Sequence, residues 1–329
     1  MFSCLYFSRG KTDCKLDEHL RGTMIQQLEP DLFLIDHKFQ GVPGTIASYL
    51  LVDGDDLTLI ETGPATTMET LLAGVRAAGF DPDQITRLIV THIHLDHAGA
   101  AGSLIQRLPR ARLFVHRVGA PHMIDPSKLL ASATRIFQED MEQLWGEILP
   151  VPEERVVILD DESTLRIGGR VLKALYTPGH ASHHLAYYDA ESGVIFTGDV
   201  AGARLNEAEY LRPPTLPPEV DLTLWRQSIT RLRSLQARRL YLTHGGAFSA
   251  PDRHFDLLLS RLFFLAGWTE ASLAVEQDSA VLASKLLQRE SKEIIAITGN
   301  DDLVEHYELV AGTRMSIDGL ARYLQKRYR

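Results

Sequence analysis

Residues 91–99 have the sequence THIHLDHAG, and they directly follow an apolar run, RLIV, that predicts a buried strand. Because side chains alternate along a strand, His92 and His94 are expected on the same face where the strand ends. Asp96 and His97 come where the chain turns into a helix, so their side chains can reach the same space from the other side. Neutral imidazoles and carboxylates are the ligands that Zn²⁺ and related divalent metals prefer when thiolates are absent. The stretch predicts a metal site; the alternative is a solvated histidine-rich loop, which is disfavoured because the chain has only 13 histidines among 329 residues.

Three more candidate ligands each follow a hydrophobic strand and stand beside a small residue. They are His180 in TPGH, Asp199 in FTGD and His244 in LTHG. Each alone is a weak indication, because a polar residue after a strand more often serves as a turn or a cap. Together with the cluster at 92–97 they make seven potential ligands, enough for two adjacent metal ions that share a carboxylate.

The remaining pattern predicts two strand-rich halves, each with helices, and therefore two sheets packed face to face with helices outside. Asp53-Gly54-Asp55-Asp56 predicts a hairpin turn. Thr66 and Glu69 fit a capping box at the start of a helix that Gly79 would cap at its end. Predicted strands lie at 24–37, 46–52, 57–61, 87–91, 112–116, 155–159, 164–167, 170–176, 184–189, 194–198 and 239–243, and predicted helices at 66–78, 97–107 and 221–236.

Three segments stand outside this pattern. Residues 126–149 have apolar positions at helical spacing and predict one long inserted helix, either a lid over the site or a dimer contact. Residues 251–329 predict an all-helical C-terminal extension to the catalytic domain at 24–250. Residues 1–23 lack periodicity, so we expect a disordered leader or an over-extended gene start with Met24 as the initiator; intact-mass analysis of the native protein would test this.

Composition excludes several classes of function. Asp and Glu outnumber Lys and Arg by 43 to 34, which gives a formal charge of −9 and disfavours nucleic acid as a partner. The sequence has no run of about 18 apolar residues, so no membrane span is expected. Cys4 and Cys14 are too few for a disulfide scaffold or a thiolate cage, and we expect a cytoplasmic protein.

The ordered set His92-x-His94-x-Asp96-His97, His180, Asp199 and His244 resembles the metallo-β-lactamase-fold hydrolase superfamily over about residues 24–250. Within it, THIHLDHAG, TPGH and a helical tail are most similar to the branch of glyoxalase II, or hydroxyacylglutathione hydrolase. The resemblance implies an αββα sandwich with the metals at one edge of the two sheets. It also implies that one metal binds His92, His94 and His180, that the other binds Asp96, His97 and His244, and that Asp199 bridges them.

The implied cofactors are two divalent ions, zinc first and iron or manganese as alternatives. Two such ions about 3.5–4 Å apart share a water and lower its pKa from about 15.7 towards 7, and the resulting hydroxide attacks an ester-like carbonyl. The resemblance implies a second role for Asp96, because in family members with one metal the aspartate at this position orients the nucleophile or shuttles a proton. The expected substrate is a small molecule, a homodimer is left open, and the substrate-binding residues are unknown.

Several positions depart from the family pattern or need their own interpretation. Glu61-Thr62-Gly63 replaces the usual Asp-Thr-Gly, so Glu61 is expected to support the ligand loop with a longer side chain. His184 matches a second histidine of relatives and is predicted either to hydrogen-bond near that loop or to be a plain strand residue, whereas His183 is expected to face the opposite way. Gly202 stands where some lactone-cleaving relatives have a phenol, which weakens a homoserine lactonase assignment.

Other interpretations compete for the same residues. His94 argues against flavodiiron oxygen reductases, which have Glu there, and the acidic balance argues against the tRNA 3′-processing nucleases of this fold. The leading hypothesis is a hydrolase of a thioester, ester or lactone. One alternative is a mononuclear iron persulfide dioxygenase, and another is a degenerate scaffold that uses its helical tail for protein contacts. His116, His122, Asp125 and Lys128 are expected at the surface or in caps rather than at the pocket mouth.

Overall fold

The structure is a computed structural model that describes residues 24–327. The leader predicted at residues 1–23 lies outside the described residues, as do Cys4 and Cys14. Among the described residues, none of the helices combines the length and the apolar character that crossing a lipid bilayer requires.

The first sheet has seven strands in chain order. Its first four strands pair antiparallel through hairpin-type connections, and the last four run parallel. The predicted opening strand at 24–37 is instead two strands, because Pro30 lacks the N–H that would continue the ladder and the chain turns at Pro30-Asp31. The strands are β1 Ile25–Glu29, β2 Leu32–Asp36, β3 Ala47–Asp53, β4 Asp56–Ile60, β5 Ile85–Ile89, β6 Arg112–His116 and β7 Val156–Leu159.

The second sheet has six strands in the order β13-β12-β11-β10-β9-β8. All neighbours are antiparallel except β11 and β12, which run parallel. The last strand, β13, is absent from the sequence prediction. The strands are β8 Thr164–Ile167, β9 Arg170–Tyr176, β10 Leu185–Asp189, β11 Val194–Phe196, β12 Arg239–Leu242 and β13 Gly246–Ser249.

Helices cover the outer face of each sheet, and others form the insertion at 126–149 and the C-terminal region. They are α1 Met68–Ala77, α2 Leu95–Ala98, α3 Ala101–Arg107, α4 Ala120–Ile124, α5 Ser127–Phe137, α6 Met141–Trp145, α7 Leu222–Ser234, α8 Pro251–Leu273, α9 Ser279–Thr298, α10 Asp302–Val310 and α11 Thr313–Arg327. Leu71, Leu72 and Leu104 pack α1 and α3 on the first sheet. Trp225 and Phe255 pack α7 and α8 on the second.

The two sheets face each other across a buried, largely apolar layer that is rich in aromatic side chains. Tyr49 of the first sheet packs between Phe196 and Tyr241 of the second, with ring centroids 5.2 and 5.3 Å apart. Burial of such large rings is a principal source of stability at a sheet–sheet interface. The arrangement is the predicted αββα sandwich with a helical C-terminal region, and the predicted fold class is confirmed.

Two local predictions about helices are wrong. The single helix expected at 126–149 is broken, because Gln138 adopts φ 47° and a 3₁₀ turn at Gln138–Asp140 separates α5 from α6. Thr66 does not cap α1; its hydroxyl donates instead to the carbonyl of Leu144 in the insertion. The expected cap at Gly79 fits the structure, since its φ is 93°.

The C-terminal helices are tied to the sandwich by buried charges. Arg212, on the segment after β11, lies 2.9 Å from Glu290 of α9, and both side chains are 1% exposed. Glu290 also accepts from Arg261 of α8, while Arg212 reaches Glu308 of α10. Because a buried charge is stable only when it is paired, these contacts fix the tail against the segment at 203–218.

Candidate metal centre

The seven predicted ligands follow the carboxyl ends of four strands that meet at one edge of the sandwich. The cluster at 92–97 follows β5, and His180, Asp199 and His244 follow β9, β11 and β12. In the second sheet β9 and β11 are both antiparallel to β10, and β11 is parallel to β12, so their carboxyl ends share that edge. Backbone hydrogen bonds join the sheets there, from Leu185 N–H to Thr91 O at 2.7 Å and from Ala47 N–H to Thr243 O at 2.8 Å.

Three imidazoles form a first group. His94 Nδ1 lies 3.0 Å from His92 Nε2 and 2.9 Å from His180 Nε2. A tetrahedral zinc ion with bonds of about 2.0–2.1 Å holds its ligand atoms about 3.3 Å apart. The group therefore has the dimensions of part of a coordination shell.

Asp96, His97 and His244 form a second group, and Asp199 lies between the two. Asp96 Oδ2 is 3.4 Å from His97 Nε2 and 3.3 Å from His244 Nε2. Asp199 Oδ1 is 3.1 Å from His97 Nε2 and 3.3 Å from His244 Nε2, while its Oδ2 is 3.5 Å from His180 Nε2. Asp199 thus faces the second group with Oδ1 and the first group with Oδ2.

The outer nitrogens of the rings are held by hydrogen bonds. His180 Nδ1–H donates to Pro214 O at 2.7 Å, and His244 Nδ1–H donates to Thr45 O at 2.6 Å. Because the outer nitrogen carries the hydrogen, Nε2 of each neutral ring presents a lone pair to the centre. Such outer bonds orient metal-binding histidines in proteins.

The centre contains buried polar atoms of the kind that a bound cation would satisfy. Among the described residues, the buried atoms His97 Nε2 and His244 Nε2 lie 3.1 and 3.3 Å from the buried Asp199 Oδ1, but none of the three makes a hydrogen bond of acceptable geometry. Most buried polar atoms in proteins have one, so three orphans that converge on one point require an explanation. Divalent ions bound by lone pairs and carboxylates supply it, and the residues present fit such ions.

The pKa values of the cluster are displaced in two directions. Burial holds the pKa of His92 well below its usual value and lowers that of His94 to about 4, with neighbouring imidazoles adding to the effect. Burial also opposes charge on His97 and His244, but the nearby carboxylates outweigh it, raising the pKa of His97 far above its usual value and that of His244 to about 10. Two buried carboxylates thus draw positive charge into the centre, a demand that divalent cations would meet.

The carboxylate of Glu61 is hydrogen-bonded to the segment at 91–97 that contains the candidate ligands. Its Oε1 accepts from Thr91 Oγ1 at 2.5 Å, His97 Nδ1 at 3.0 Å and Thr243 Oγ1 at 3.1 Å, and its Oε2 accepts from Thr91 N at 3.2 Å. Since Thr91 Oγ1 donates to Glu61, it accepts from His92 Nδ1 at 3.0 Å. One carboxylate therefore orients two candidate ligands and connects both sheets.

His184 is hydrogen-bonded at the centre, the first of the two predicted possibilities for it. Its Nε2 accepts from Asp199 N at 3.2 Å, and its Nδ1 lies 2.9 Å from Thr177 Oγ1. Gly198 precedes Asp199 with φ 50°, and a Cβ there would lie 2.5 Å from Thr91 Oγ1 and 2.8 Å from His184 Nε2. The small residue beside Asp199 is thus required by its backbone conformation and by the close approach of Thr91 and this imidazole.

A cavity of about 200 Å³ opens beside the centre, with His94, Asp96 and His244 in its wall. The rest of the wall is largely apolar. Phe39, Ile46 and Leu95 come from the sandwich, Leu129, Ile136, Phe137 and Trp145 from the insertion, and Leu309, Val310 and Met315 from the tail. Trp145 stacks on Phe39 with ring centroids 5.4 Å apart, so the insertion packs against the candidate site. Its roles as a lid or as a dimer contact remain predictions.

Two interpretations of single histidines are wrong. His183 does not face away: it lines the cavity, and its ring centroid lies 5.5 Å from that of His94. The cause is that His183 precedes β10, so the alternation of a strand does not apply to it. His122 also lines the cavity and is half-buried, contrary to the surface or capping role expected for it. Lys128 lines the cavity too and is exposed, as expected. The ring of His116 stacks on that of Tyr176, with centroids 4.7 Å apart.

Sequence reasoning also missed partners that lie on loops. The carbonyl groups of Thr45 and Pro214 bind candidate ligands through main-chain atoms, which leave no mark in the sequence. The cavity wall from α10 and α11 was missed because the tail has only a generic helical pattern.

The chain was compared with known proteins. The family model described as Metallo-beta-lactamase superfamily matches residues 41–244, which include all seven candidate ligands. The metallo-beta-lactamase fold-containing protein ST1585 of Sulfurisphaera tokodaii is 28% identical over 54% of this chain and 68% of the relative. The atrochrysone carboxyl ACP thioesterase of Aspergillus fumigatus is 26% identical over 84% of this chain and 71% of the relative. A hydroxyacylglutathione hydrolase of Synechococcus sp. is 30% identical over 46% of this chain, and the match spans 47% of that protein.

Solved structures show the same architecture. The metallo-beta-lactamase family protein TTHA1429 from Thermus thermophilus superposes with a TM-score of 0.69 at 21% identity, over 92% of this chain and 95% of that one. The structure of ST1585 superposes with a TM-score of 0.56 at 24% identity, over 67% and 81% of the two chains. At these identities the likeness shows the fold alone.

Proposed function

This chain belongs to the metallo-β-lactamase superfamily, and from that membership we propose that it is a metal-dependent hydrolase that cleaves a thioester, ester or lactone. The observation that carries the proposal is the convergence of five imidazoles and two carboxylates, with orphaned buried atoms, on the wall of an apolar cavity. A reactive centre beside an apolar cavity suits a small substrate with an apolar group next to the bond that is cleaved.

Two divalent ions, zinc first and iron or manganese as alternatives, are the proposed cofactors. His92, His94 and His180 would hold one ion, Asp96, His97 and His244 would hold the other, and Asp199 would bind both. Bound ions of this kind lower the pKa of water towards neutrality and polarise a carbonyl oxygen. The ligand types, nitrogen and oxygen without thiolate, suit zinc and its borderline neighbours.

Asp96 is the proposed catalytic residue of the chain. It is the carboxylate of the centre that also lines the cavity, and 18% of its side chain is exposed. A carboxylate at this position can orient the attacking water or take its proton in addition to acting as a ligand.

Thioester cleavage has the strongest support among the three bond types. Two of the relatives bear names, thioesterase and hydroxyacylglutathione hydrolase, that denote thioester cleavage. The apolar wall from the insertion and the tail supports an apolar acyl group as the part of the substrate that enters the cavity.

The test is metal analysis of the purified protein coupled to a screen of thioesters, lactones and aryl esters. We expect two ions per chain and hydrolysis that a chelator abolishes. One iron per chain, with oxygen uptake in the presence of glutathione persulfide, would replace the hydrolase by a persulfide dioxygenase. Metal content near zero after purification without chelator would favour a non-catalytic scaffold.

Substitution of the shared carboxylate tests the ligand set. Asp199→Ala should lower metal occupancy and turnover together, because this side chain faces both ligand groups. Asp252→Ala, at an aspartate whose side chain is 83% exposed on α8, is the matched control. An Asp199→Ala protein that keeps two ions and normal hydrolysis would refute the role proposed for Asp199.

A further inference from the structure

We propose that His183 is a substrate-binding residue whose Nε2–H donates a hydrogen bond to the carbonyl oxygen of the acyl group in the cavity. The inference rests on the proposed function and extends it, because His183 lies outside the seven candidate ligands.

His183 lies beside the centre but faces the cavity. Its ring is 6.0 Å from that of His92 and 5.5 Å from that of His94, measured between centroids. Its side chain is nine-tenths buried, and its remaining surface belongs to the cavity wall that also contains His94 and Asp96. A group bound next to the ions is therefore within reach of this ring.

A backbone hydrogen bond fixes which nitrogen of His183 carries the hydrogen. The N–H of Ile93 donates to His183 Nδ1 at 3.4 Å, so Nδ1 is the acceptor and a neutral ring has its hydrogen on Nε2. This donation also fixes the direction of the ring, since Ile93 lies between two candidate ligands in the sequence.

The hydrogen on Nε2 has no close carboxylate to receive it. Among the described residues, the carboxylate that faces Nε2 is that of Glu219, whose Oε2 is 4.0 Å away, beyond hydrogen-bond range. That oxygen already accepts from Ser182 N at 2.9 Å and Ser182 Oγ at 2.6 Å. His183 therefore presents a donor to the cavity.

The chemistry of a neutral Nε2–H selects the group that it binds. It donates and cannot accept, so it recognises a carbonyl or carboxylate oxygen and not an ammonium or an amide N–H. Since Ile93, Leu95 and the insertion form an apolar wall beside it, such an oxygen would be held by few other protein donors. An acyl compound could place its carbonyl oxygen at His183 and the candidate metal centre, and its apolar chain against Trp145 and the apolar wall.

Two substitutions separate this role from a purely structural one. In His183→Asn the amide oxygen can replace Nδ1 as the acceptor for Ile93 N–H, but no donor reaches the position of Nε2. In His183→Gln the amide reaches the position of Nε2 and the acceptor for Ile93 is lost. If His183 binds the substrate, His183→Asn should lower kcat/KM more than His183→Gln does. If His183 only supports the loop through Ile93, His183→Gln should lower it more.

The experiment measures metal content, kcat and KM for a medium-chain thioester, and the Kd of octanamide by calorimetry on the metal-loaded protein. With His183→Asn we expect unchanged metal content, a Kd for octanamide raised about tenfold and a kcat/KM lowered about 10- to 100-fold. His183→Gln should recover part of both losses. His306→Asn, at a histidine on α10 outside the cavity wall, is the control and should leave all values unchanged.

The outcomes distinguish this proposal from the proposed function. If the wild-type protein hydrolyses none of the thioesters, lactones and aryl esters, the proposed hydrolase function is refuted. The role of His183 is then tested by the Kd of octanamide alone. Equal octanamide Kd values for wild type and His183→Asn, no binding by wild type, or a larger loss with Gln than with Asn would each overturn the role of His183.

Discussion

Replacement of Glu61 by glutamine tests whether a buried carboxylate orients the candidate metal ligands. The amide keeps the shape of the side chain and removes its charge. Glu61 Oε1 accepts three hydrogen bonds and Oε2 accepts one, from Thr91 N. The amide therefore keeps its oxygen at the first position and turns its NH₂ towards the backbone N–H of Thr91.

The expected magnitude follows from that geometry. The hydrogen bond from Thr91 N–H is lost, and the amide NH₂ is left facing that N–H. This should lower the free energy of unfolding by about 1–3 kcal/mol. The bond from His97 Nδ1 survives but loses its charged acceptor. Loss of an outer partner of this kind lowers metal affinity by about 10- to 100-fold.

The assay is competition for metal with a chelator of known affinity, together with urea unfolding of the metal-free protein. Glu69→Gln is the matched control, because Glu69 is an exposed partner of Arg107 and surface ion pairs contribute about 0–1 kcal/mol. A Glu61→Gln protein with the chelator midpoint of wild type would refute the reasoning that this carboxylate orients His97.

Three further predictions concern stability and specificity. Burial lowers the pKa of His37 from 6.5 to about 3, so as the pH falls this imidazole is protonated in the unfolded chain before it is protonated in the folded protein. The free energy of unfolding should therefore fall by up to about 1.4 kcal/mol per pH unit as the pH drops from 6.5 towards 3. His37→Gln should reduce that slope in urea unfolding between pH 7 and 5, and an unchanged slope would contradict this. Trp145→Ala should raise KM for a medium-chain acyl substrate more than for an acetyl substrate, since this ring lines the cavity; an equal change in both would count against it. Glu290→Gln should lower the free energy of unfolding by about 1–3 kcal/mol, because the buried Arg212 loses one carboxylate partner and keeps Glu308. Glu293→Gln, at a carboxylate 36% exposed, should cost under about 1 kcal/mol. Similar losses from both would contradict the pairing argument.

Much of the sandwich could be predicted because its strands are short and bounded by strong turns. The strands at 112–116, 164–167 and 170–176 lie at the predicted residues. The predicted ligands converge because each follows the carboxyl end of a strand at the same edge, which is a consequence of sheet geometry rather than of any one motif. Their role as metal ligands stays a prediction.

The failures have a common cause in tertiary contacts that override a local pattern. Apolar spacing continues through 126–149, yet the helix breaks at Gln138, and Trp145 beyond the break stacks on Phe39. His183 faces the cavity because it lies in the loop before β10, where its orientation is set by contacts with the 92–97 segment and not by a strand. The hydroxyl of Thr66 bonds across to the insertion instead of capping its own helix.

The division of the ligands between the two sheets has a consequence for how the protein matures. During synthesis the segment at 92–97 leaves the ribosome long before His180, Asp199 and His244, and by itself it offers only two side chains to each ligand group. If ions bind as proposed, complete coordination would require the second sheet to have closed on the first. Bound ions would then link the first sheet to the second, and removing them with a chelator should weaken the contact between the two sheets.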